Sequence, residues 1–277
     1  MSSPSKHIVV IEAGRTESAY WKDLWRYREL FYFLAWRDVL VRYKQTVMGI
    51  LWSVIKPLLT MLVFVFVFGK LAKLPSDGVP YPVLVLSGML PWLFFASAFS
   101  EAGNSLVGNA NIISKVYFPR LIVPLSAVIV CMVDFMISGV LLVALMFWFG
   151  VVPNEKIIFL PFFIFLLMAA AVGAGLWVAA LNVKYRDFRY IVPFVIQLGF
   201  YVSPVAFTSN IIPEKWRLLY AFNPMVGIID GFRWSITATN APLYWRGVIV
   251  SVVIVFFLVF TGVRYFRATE KSFADVI

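Results

Sequence analysis

Six long apolar stretches, separated by clusters of basic residues, constrain the fold of this chain more than any other feature of its sequence. A helix needs roughly 20 residues to cross the hydrocarbon core of a bilayer, and the stretches are close to that length. Lipid offers the backbone no hydrogen-bond partners, so open-ended crossings must be helical. The pattern therefore predicts an all-α integral membrane protein with six transmembrane helices. The stretches cover residues 49–68, 81–99, 121–149, 157–181, 190–207 and 248–263.

The composition excludes an ordinary soluble domain. Of the 277 residues, 62% are hydrophobic and 14% are charged, and the mean hydropathy is +0.88. One bilayer domain uses nearly all of this length, which leaves little for a separate catalytic domain. The net charge of +10 could indicate nucleic-acid binding in a soluble protein. Here the basic residues cluster between apolar stretches, as they do at a membrane surface.

The basic residues also predict the orientation of the chain. If the N-terminus is cytoplasmic, most of the 24 Lys and Arg residues fall on the cytoplasmic side. They lie in the N-terminal segment, in the loops after the second and fourth spans, and at the C-terminal end. The positive-inside rule therefore predicts a multi-pass protein with both termini in the cytoplasm.

The segment before the first span predicts a helix that lies on the membrane rather than across it. In residues 20–46, apolar side chains recur every three or four positions with charged residues between them. This is the pattern of a basic amphipathic helix in the headgroup layer, which either only anchors the chain or has a functional role. It would follow a tail of residues 1–19 and precede a transmembrane domain, 47–267, and a cytoplasmic tail, 268–277.

A long connection, residues 208–246, separates the fifth and sixth spans. It contains two apolar pieces, 216–222 and 225–229, with Asn223 and Pro224 between them. Each piece is too short to cross a bilayer, and proline ends the preceding helix. The sequence therefore predicts two short re-entrant or interfacial helices on the outer face. The residues predicted to form an outer gate there are Trp216, Asn223 and Pro224.

The sequence lacks the motifs of common catalytic and nucleotide-binding sites. It has no G-x-x-x-x-G-K-[ST] phosphate-binding loop, and neither G-x-S-x-G nor H-E-x-x-H occurs. With one histidine, His7, and one cysteine, Cys131, no His/Cys metal cluster can form. We therefore expect a chain that is not an enzyme and that binds no metal or cofactor itself. A membrane-embedded transferase has no supporting pattern of paired carboxylates or metal ligands on a cytoplasmic loop.

Two charged residues interrupt the predicted spans, Lys56 in the first and Asp134 in the third. Charges inside a membrane are costly, so each is a candidate functional residue. Lys56 lies close to the cytoplasmic end and could instead extend its amine to the headgroups. Asp134 lies deeper, where it makes either a hydrogen bond between helices or a contact with substrate. If the two side chains met, they could form the relay of an ion-coupled transporter.

Aromatic residues are dense, at 18% of the chain, and many lie within the spans rather than at their ends. Most aromatic side chains in membranes face lipid or pack between helices. Aromatic faces can also stack on sugar rings, and a pore through which a polymer slides needs weak, repeated contacts. The pattern therefore permits a pore for a glycan. The residues predicted to line this translocation pore are Lys56, Phe64, Phe68, Trp92, Phe95, Phe99, Phe200 and Tyr201.

A set of short motifs runs along the chain. NVKYRD at 182–187 and NPM at 223–225 are the most specific, and they are accompanied by SGMLPW at 87–92, FPR at 118–120 and EKSFAD at 270–275. Together these motifs resemble those of the membrane subunit of ABC-2-type polysaccharide exporters, the family that serves O antigen, capsule and teichoic acid. The resemblance extends over nearly the whole chain.

The resemblance implies a bacterial transporter whose motor is another polypeptide. Members of the family are homodimers that pair with two copies of a separate ATPase subunit, which binds ATP and magnesium. They export a glycan carried on undecaprenyl diphosphate across the cytoplasmic membrane, through a pore at the dimer interface. By position, the loop after the second span would be the main segment that couples the ATPase to the spans. The resemblance implies a role in ATPase coupling for Asn109, Asn111, Lys115, Phe118, Pro119, Arg120, Arg186 and Asp187.

The resemblance also implies a cytoplasmic entrance for a lipid diphosphate. A diphosphate is strongly negative, and arginine offers donors that match phosphate oxygens. The positive-inside rule alone would also put basic residues at this face. The residues predicted to form this entrance are Arg37, Arg42, Lys44, Lys184 and Arg189.

The coupling assignment leads to one mutational expectation. Changing Phe118 and Arg120 should leave assembly intact but uncouple ATP hydrolysis from export. Two alternatives to a polysaccharide exporter stay open at this point. One is an ABC-2 permease for a drug or another lipid, and the other is an ion-coupled secondary transporter that uses Lys56 and Asp134. Dependence on an ATPase partner separates the second alternative from the exporter.

Overall fold

The structure is a computed structural model and describes residues 17–44, 49–185, 187–237, 242–270 and 273. In these ranges the regular structure is helical, as the sequence predicts. The α-helices are α1 (Glu17–Arg26), α2 (Arg28–Lys44), α3 (Gly49–Phe64), α4 (Tyr81–Gly108), α5 (Ala110–Ile113), α6 (Ile122–Trp148), α7 (Leu160–Lys184), α8 (Phe188–Val202), α9 (Glu214–Tyr220), α10 (Pro224–Ile236) and α11 (Trp245–Glu270). The other helical segments are a π-helix that continues α3, Val65–Leu71, and 3-10 turns at Glu155–Phe159 and Ser209–Ile211.

Some predicted features extend beyond these ranges. Most of the predicted N-terminal tail, 1–19, lies outside the described residues, as do the last two residues of the predicted interface helix, 20–46. Arg186 and most of the predicted C-terminal tail, 268–277, lie outside them as well.

Within the described ranges, five helical stretches are long and apolar enough to cross a membrane. They are Ile50–Leu71, Tyr81–Gly108, Ile122–Trp148, Glu155–Lys184 and Trp245–Glu270. The fifth predicted span, residues 190–207, corresponds to the apolar helix α8, which is shorter at 15 residues. This helix ends at Ser203, whose backbone is extended, because the residue before a proline is biased away from helical geometry.

Helix α4 forms the centre of the bundle. It packs against α6 and α7, and α7 in turn packs against α11. Of the most apolar part of α4, 67% is buried inside the chain, whereas only 11% of the first span, Ile50–Leu71, is buried. The first span therefore lies at the edge of the bundle, where most of its surface is left for lipid or another chain.

Small residues let α7 and α11 approach each other closely. A Cβ at position 173 would lie 2.8 Å from the backbone nitrogen of Val259, and a Cβ at position 262 would lie 2.6 Å from the carbonyl oxygen of Gly173. Only glycine fits at either place without a shift of the helices. Close approach of this kind supports helix association in membranes, where apolar side chains gain little by leaving lipid.

One end of the bundle gathers the N-terminal helices, the loop between α4 and α6, and the C-terminal end of α11. A buried apolar cluster joins them, with Leu34 from α2, Phe118 from the loop, Val183 from α7 and Phe266 from α11. The segments predicted to face the cytoplasm therefore lie together, because their apolar side chains share one core.

The N-terminal segment differs from the single helix expected over residues 20–46. It forms α1 and α2, which are separated at Tyr27, and α2 packs against α6. A hydrocarbon core of about 30 Å covers about 20 residues of helix. If Phe147 and Trp148 mark the outer interface, the inner boundary on α6 falls near Val128. The C-terminal end of α2 contacts α6 at Cys131 and Asp134, about 5 to 9 Å beyond this boundary at 1.5 Å per residue, so this end of α2 extends past the headgroup level into the edge of the core.

The connection between α8 and α11 contains two short helices, as its two apolar pieces predict. The Asn223 side chain caps α10 by accepting a hydrogen bond of 3.0 Å from the Met225 amide. Pro224 occupies the first turn of α10. Backbone amides there have no acceptor within the helix, so the absence of an N–H in proline costs no hydrogen bond. Helix α10 packs against the beginnings of α4, α7 and α11, at the end of the bundle opposite the cluster around Phe118.

Replacing Gly173 by alanine is expected to destabilise the protein by about 2 kcal/mol, because the added methyl group meets backbone atoms of α11 that cannot rotate away. The matched control is Gly139→Ala, at a glycine within α6 whose Cβ would meet nothing within 4 Å. Thermal unfolding of the purified protein in detergent measures both changes. Equal melting temperatures for the two variants would contradict the close contact between α7 and α11.

Candidate functional site

A deep cleft opens beside α4, between α3 and α8. Two adjoining cavities form it, with volumes of about 320 and 520 Å³. Both cavities have Arg42, Lys56, Leu93 and Ser97 in their walls, so they make one continuous space. Helices α2, α3, α4, α6 and α8 all contribute to the lining, which brings together residues that are far apart in the sequence.

Along the cleft, the seven aromatic residues predicted for the pore form one continuous row of ring contacts, with neighbouring centroids 5.3 to 6.3 Å apart. In order, the rings are Phe68, Phe64, Phe200, Trp92, Phe95 and Phe99, with Tyr201 beside Phe200. Trp92 and Phe200 line the larger cavity directly. Gly199 leaves room for this row, because a Cβ there would lie 2.6 Å from the Trp92 indole. The structure thus gathers rings from α3, α4 and α8 that the sequence analysis selected for one role.

The inner part of the cleft is polar and is organised around Asp134. Tyr43 and Ser53 donate hydrogen bonds of 2.6 and 2.7 Å to Asp134 Oδ1. Arg42 Nη1 lies 3.2 Å from Asp134 Oδ2, and Arg42 Nη2 lies 3.8 Å from Glu101 Oε1. Three residues of α2 and α3 therefore bind this carboxylate and compensate a charge that would be costly inside a membrane.

Tyr43 acts in this cluster as a donor. Burial, and the hydrogen bond that the phenol donates to Asp134, raise the pKa of Tyr43 to about 12. Ionisation would place a phenolate beside a carboxylate, so the neighbouring charge favours the neutral phenol. Tyr43 is therefore protonated at neutral pH and holds Asp134 in place.

Lys56 is a second cation of the cleft, and its surroundings differ from those of Arg42. Its side chain is exposed and lines both cavities. In the part of the chain that the structure describes, no carboxylate lies within ion-pair distance of its amine. At a rise of 1.5 Å per residue, Lys56 lies about 12 Å along α3 from Phe64. The cleft thus presents cationic groups beside the rings of Trp92 and Phe200, from which the row of ring contacts continues to Phe64 and Phe95.

The contacts of Asp134 match one of the two roles offered for it from the sequence, a hydrogen bond between helices. They join α6 to α2 through Arg42 and Tyr43, and to α3 through Ser53. Lys56 is not among its partners, although it lines the same cavity. The geometry therefore lacks the contact between Lys56 and Asp134 that an ion relay would need.

The segment between α4 and α6, residues 109–120, is held at both ends. Asn109 accepts a hydrogen bond of 3.0 Å from Arg37 Nη2, which ties the start of the segment to α2. At the other end, the Arg120 amide donates to Glu270 Oε1 at 2.7 Å. Phe118 is only 3% exposed and belongs to the core below, so it supports the segment from inside and offers no outer contact surface.

The exposed part of this segment lies between the two ends. The exposed side chains there include Asn111, Lys115, Val116 and Tyr117, whereas Pro119 is buried like Phe118. Sequence reasoning missed Val116 and Tyr117, because apolar residues in a loop look the same in sequence whether they are buried or exposed. A partner that binds here would contact these two side chains together with Lys115.

Most residues predicted for the lipid-diphosphate entrance do not line the cleft. Those exposed at the same end of the bundle are Lys44, Lys184 and Arg189. Arg37 pairs with Asp38 at 2.7 Å and, with Lys44, lines a separate cavity of about 300 Å³. Of this predicted set only Arg42 lines the two cavities of the cleft. Asp187, predicted for coupling, is exposed beside the start of α8, and Arg186 lies outside the described residues.

A buried arginine that sequence reasoning did not select organises the end of the bundle opposite the cluster around Phe118. Arg233 donates hydrogen bonds of 2.9 to 3.2 Å to carbonyl oxygens of the turn 204–207, which follows α8. It also contacts Ser87 Oγ at 3.3 Å and Asp230 at 3.8 Å. A Cβ at Gly88 would meet the guanidinium, so this glycine makes space for it. The available signal was an arginine within the apolar run of α10.

The predicted gate residues lie where α8, α9 and α10 meet. Asn223 donates to Ser203 Oγ at 3.0 Å, which ties the beginning of α10 to the end of α8. Trp216 is exposed and, with Asn223 and Val202, lines a separate cavity of about 440 Å³. Pro224 is the first residue of α10. The three residues therefore surround one junction, which is compatible with the predicted gate.

Comparison with known proteins identifies the class. The family model described as ABC-2 type transporter matches residues 29–237, and the chain belongs to this family. It is 29% identical over 250 residues to the O-antigen export system permease protein RfbA of Klebsiella pneumoniae, covering 87% of this chain and 92% of the relative. It is 28% identical over 262 residues to the RfbA protein of Myxococcus xanthus, covering 92% and 98%. Polysialic acid transport protein KpsM of Escherichia coli is 22% identical over 243 residues, covering 85% and 92%.

Replacing Asp134 by alanine is expected to lower the free energy of unfolding by about 2 kcal/mol, because Arg42, Tyr43 and Ser53 lose a charged acceptor at once. Asp134→Asn keeps an oxygen acceptor for the two hydroxyl groups and is expected to lose less. Equilibrium unfolding in detergent measures both variants. An alanine variant as stable as the unmodified protein would contradict the role of Asp134 in holding α2 and α3 against α6.

Proposed function

We propose that this chain is the membrane subunit of an ABC transporter that exports O-antigen or capsular polysaccharide. The observation that carries the proposal is the cleft, in which cationic groups lie beside Trp92 and Phe200, two members of a continuous row of seven aromatic rings. A lipid-linked glycan has the matching chemistry, a phosphate group joined to sugar rings. Membership of the ABC-2 family supports the proposal, as do relatives named for O-antigen export and polysialic acid transport.

ATP is hydrolysed on a separate subunit in this proposal, with ATP and magnesium bound there. The lack of a phosphate-binding loop in the sequence supports a separate motor. We propose a homodimer of this chain with two ATPase subunits. The exposed apolar side chains of the first span, such as Leu62 and Phe66, and of α8, such as Phe194 and Tyr201, support a dimer. A second copy that covered them would close the open side of the cleft into a pore.

The proposed orientation puts both termini in the bacterial cytoplasm, with six crossings of the cytoplasmic membrane. Helix α8 would be the fifth crossing, although its 15 residues span only about 22 Å at 1.5 Å per residue. The turn that follows it continues to the level of the beginning of α4, where Tyr81 Oη donates to the Ala206 carbonyl at 2.7 Å. Helices α9 and α10 would then be the outer re-entrant helices, with the predicted gate at their junction.

In this mechanism the diphosphate that links undecaprenol to the glycan binds at Arg42 and Lys56. A guanidinium offers paired donors to phosphate oxygens, and an ammonium adds a point charge. Arg42 would exchange its longer contact with Glu101, 3.8 Å, for the phosphate, while Asp134 keeps the side chain oriented. Lys56, which was assigned to the pore from the sequence, thereby becomes a phosphate-binding residue.

The glycan then moves outward along the aromatic row. Successive sugars meet ring faces of similar character at Trp92, Phe200 and Phe64, so no single contact holds the polymer strongly. Conduction through a multi-site path requires binding that is favourable enough to enter and weak enough to leave. A row of rings meets this requirement better than a few strong hydrogen bonds would.

Lys56→Gln is expected to reduce export at limiting substrate about tenfold, because a charge-assisted contact to phosphate is lost. Lys56→Arg keeps the charge and should retain most of the activity. The matched control is Lys44→Gln, which removes an exposed cation at the same end of the bundle that lines neither cavity. Export into proteoliposomes, measured against substrate concentration, tests all three. Equal losses of export in Lys56→Gln and Lys44→Gln would show that general surface charge causes the effect. They would contradict a specific phosphate site at Lys56.

Removing the exposed side chains Lys115 and Tyr117 together, by alanine substitution, is expected to leave ATP hydrolysis active but to reduce export several-fold, because the coupling segment loses its contact surface. Phe118→Ala should instead lower the free energy of unfolding by about 3 kcal/mol, because it leaves a cavity where a buried ring was packed. ATP turnover, export and melting temperature are measured on the same preparations. Unchanged export in the double variant would exclude this surface as the coupling contact.

The experiment that tests the function is affinity purification of this chain from its native membrane, followed by identification of the proteins and lipids that co-purify. The proposal expects a stoichiometric ATPase subunit whose ATP turnover rises with lipid-linked polysaccharide. A chain that purifies alone and moves a solute under an ion gradient would replace it with the secondary transporter. If a drug or a simple lipid raised the ATP turnover but lipid-linked polysaccharide did not, the chain would still be an ABC-2 permease. Its proposed substrate would then be wrong.

A further inference from the structure

The C-terminal end of α11 is joined to the coupling segment, although the mechanism above gives it no role. Glu270 Oε1 accepts a hydrogen bond of 2.7 Å from the Arg120 amide. The guanidinium of Arg120 also donates to the backbone carbonyl oxygen of Glu270. Arg120 thus donates two hydrogen bonds to Glu270, one to its side chain and one to its backbone, across 150 positions of sequence.

Arg120 lies two residues before the start of α6, where the positive end of the helix dipole favours a negative charge such as the Glu270 carboxylate. Glu270 lies in the C-terminal part of α11 as the structure describes it. The two hydrogen bonds therefore join the residues that lead into α6 to the C-terminal part of α11, which fixes the position of one helix relative to the other.

Apolar packing reinforces this junction. Phe273, which follows α11, and Phe266, within it, are both buried and contact each other edge to face with centroids 5.4 Å apart. Both belong to the cluster that contains Phe118. On the other side, the Arg267 guanidinium lies 4.6 Å from the centroid of the Tyr20 ring in α1. The end of α11 is therefore enclosed by the segment on one side and by the N-terminal helices on the other.

We propose that Glu270 is a positioning residue of the coupling mechanism, and that the end of α11 forms the second support of the coupling segment. The inference rests on the proposed function, in which an ATPase subunit pushes on the exposed surface at Lys115–Tyr117. That surface lies between two supports, Asn109 bound to Arg37 and Arg120 bound to Glu270. A push there reaches α2 through the first support, and α6 and α11 through the second. Helix α11 packs along α7, so the second support extends the movement into the bundle.

Three variants of Glu270 and its neighbour test the proposal in the complex of this chain with its ATPase. Glu270→Ala removes the acceptor for the Arg120 amide and is expected to lower polysaccharide export per ATP hydrolysed about fivefold, as for the loss of one net hydrogen bond. Glu270→Gln keeps an oxygen acceptor and should come within twofold of the unmodified complex. Thr269→Ala is the matched control, because this hydroxyl donates to the carbonyl oxygens of Tyr265 and Phe266 in its own helix.

The ratio of export to ATP turnover is the decisive readout, because a merely structural role would lower both in proportion through loss of folded complex. The recovered amount of complex and its melting temperature are measured alongside. An alanine variant whose ratio equals that of Thr269→Ala would overturn the proposal. So would a glutamine variant that loses coupling as fully as the alanine variant, because the acceptor geometry would then not be what matters.

A second measurement separates this inference from the proposed function. Hydrogen exchange at the Arg120 amide, followed in the purified chain without any partner, should speed up about fivefold in Glu270→Ala and remain slow in Glu270→Gln. If the exchange rate of the Arg120 amide is unchanged in the alanine variant, Glu270 does not hold the coupling segment at Arg120. That result would overturn the inference even if the complex exports polysaccharide. Failure of the unmodified complex to move polysaccharide would contradict the proposed function, whatever the exchange result.

Discussion

Lipid cannot solvate charges or backbone polar groups, and the arrangement of this bundle follows from that constraint. Asp134 is bound by Arg42, Tyr43 and Ser53, which draws α2 and α3 against α6. At the end of the bundle opposite the cluster around Phe118, Arg233 donates hydrogen bonds to carbonyl oxygens of the turn after α8. These bonds fix that turn against α4 and α10. The polar contacts between helices thus determine how the peripheral helices sit against α4 and α7.

The same constraint gives the cleft its two-part character. Its carboxylates lie near Arg42, which leaves Lys56 without an acidic partner among the described residues, in a wall of apolar, aromatic and neutral polar side chains. Exposed cationic charge and ring faces in one continuous space suit a ligand that combines phosphate with sugars. A cleft that is open on one side and bounded by exposed apolar helices also suits a pore completed by a second copy. In the proposed mechanism, an arrangement of common residues carries the function.

How far the site could be predicted differs from part to part. The row from Phe68 to Phe99 was selected from aromatic density and resemblance, and the structure joins all seven rings because α3, α4 and α8 meet along it. The prediction of the entrance was less accurate, because of its five basic residues only Arg42 lines the cleft. The positive-inside rule concentrates basic residues at that face whether or not they bind a ligand. Phe118 was selected for a contact surface and is instead buried.

By itself, the sequence determined that the chain lies in a membrane, to which class of protein it belongs and in what order its helices follow. The apolar stretches, the distribution of basic residues and the motifs that show this are all local in the chain. It also determined the break between α9 and α10, since Asn223 and Pro224 act on their immediate neighbours. Only the tertiary structure decided that Lys56 lies apart from Asp134 and that Glu270 binds Arg120. These facts depend on contacts between residues tens to hundreds of positions apart, and no local pattern encodes which polar group will meet which partner.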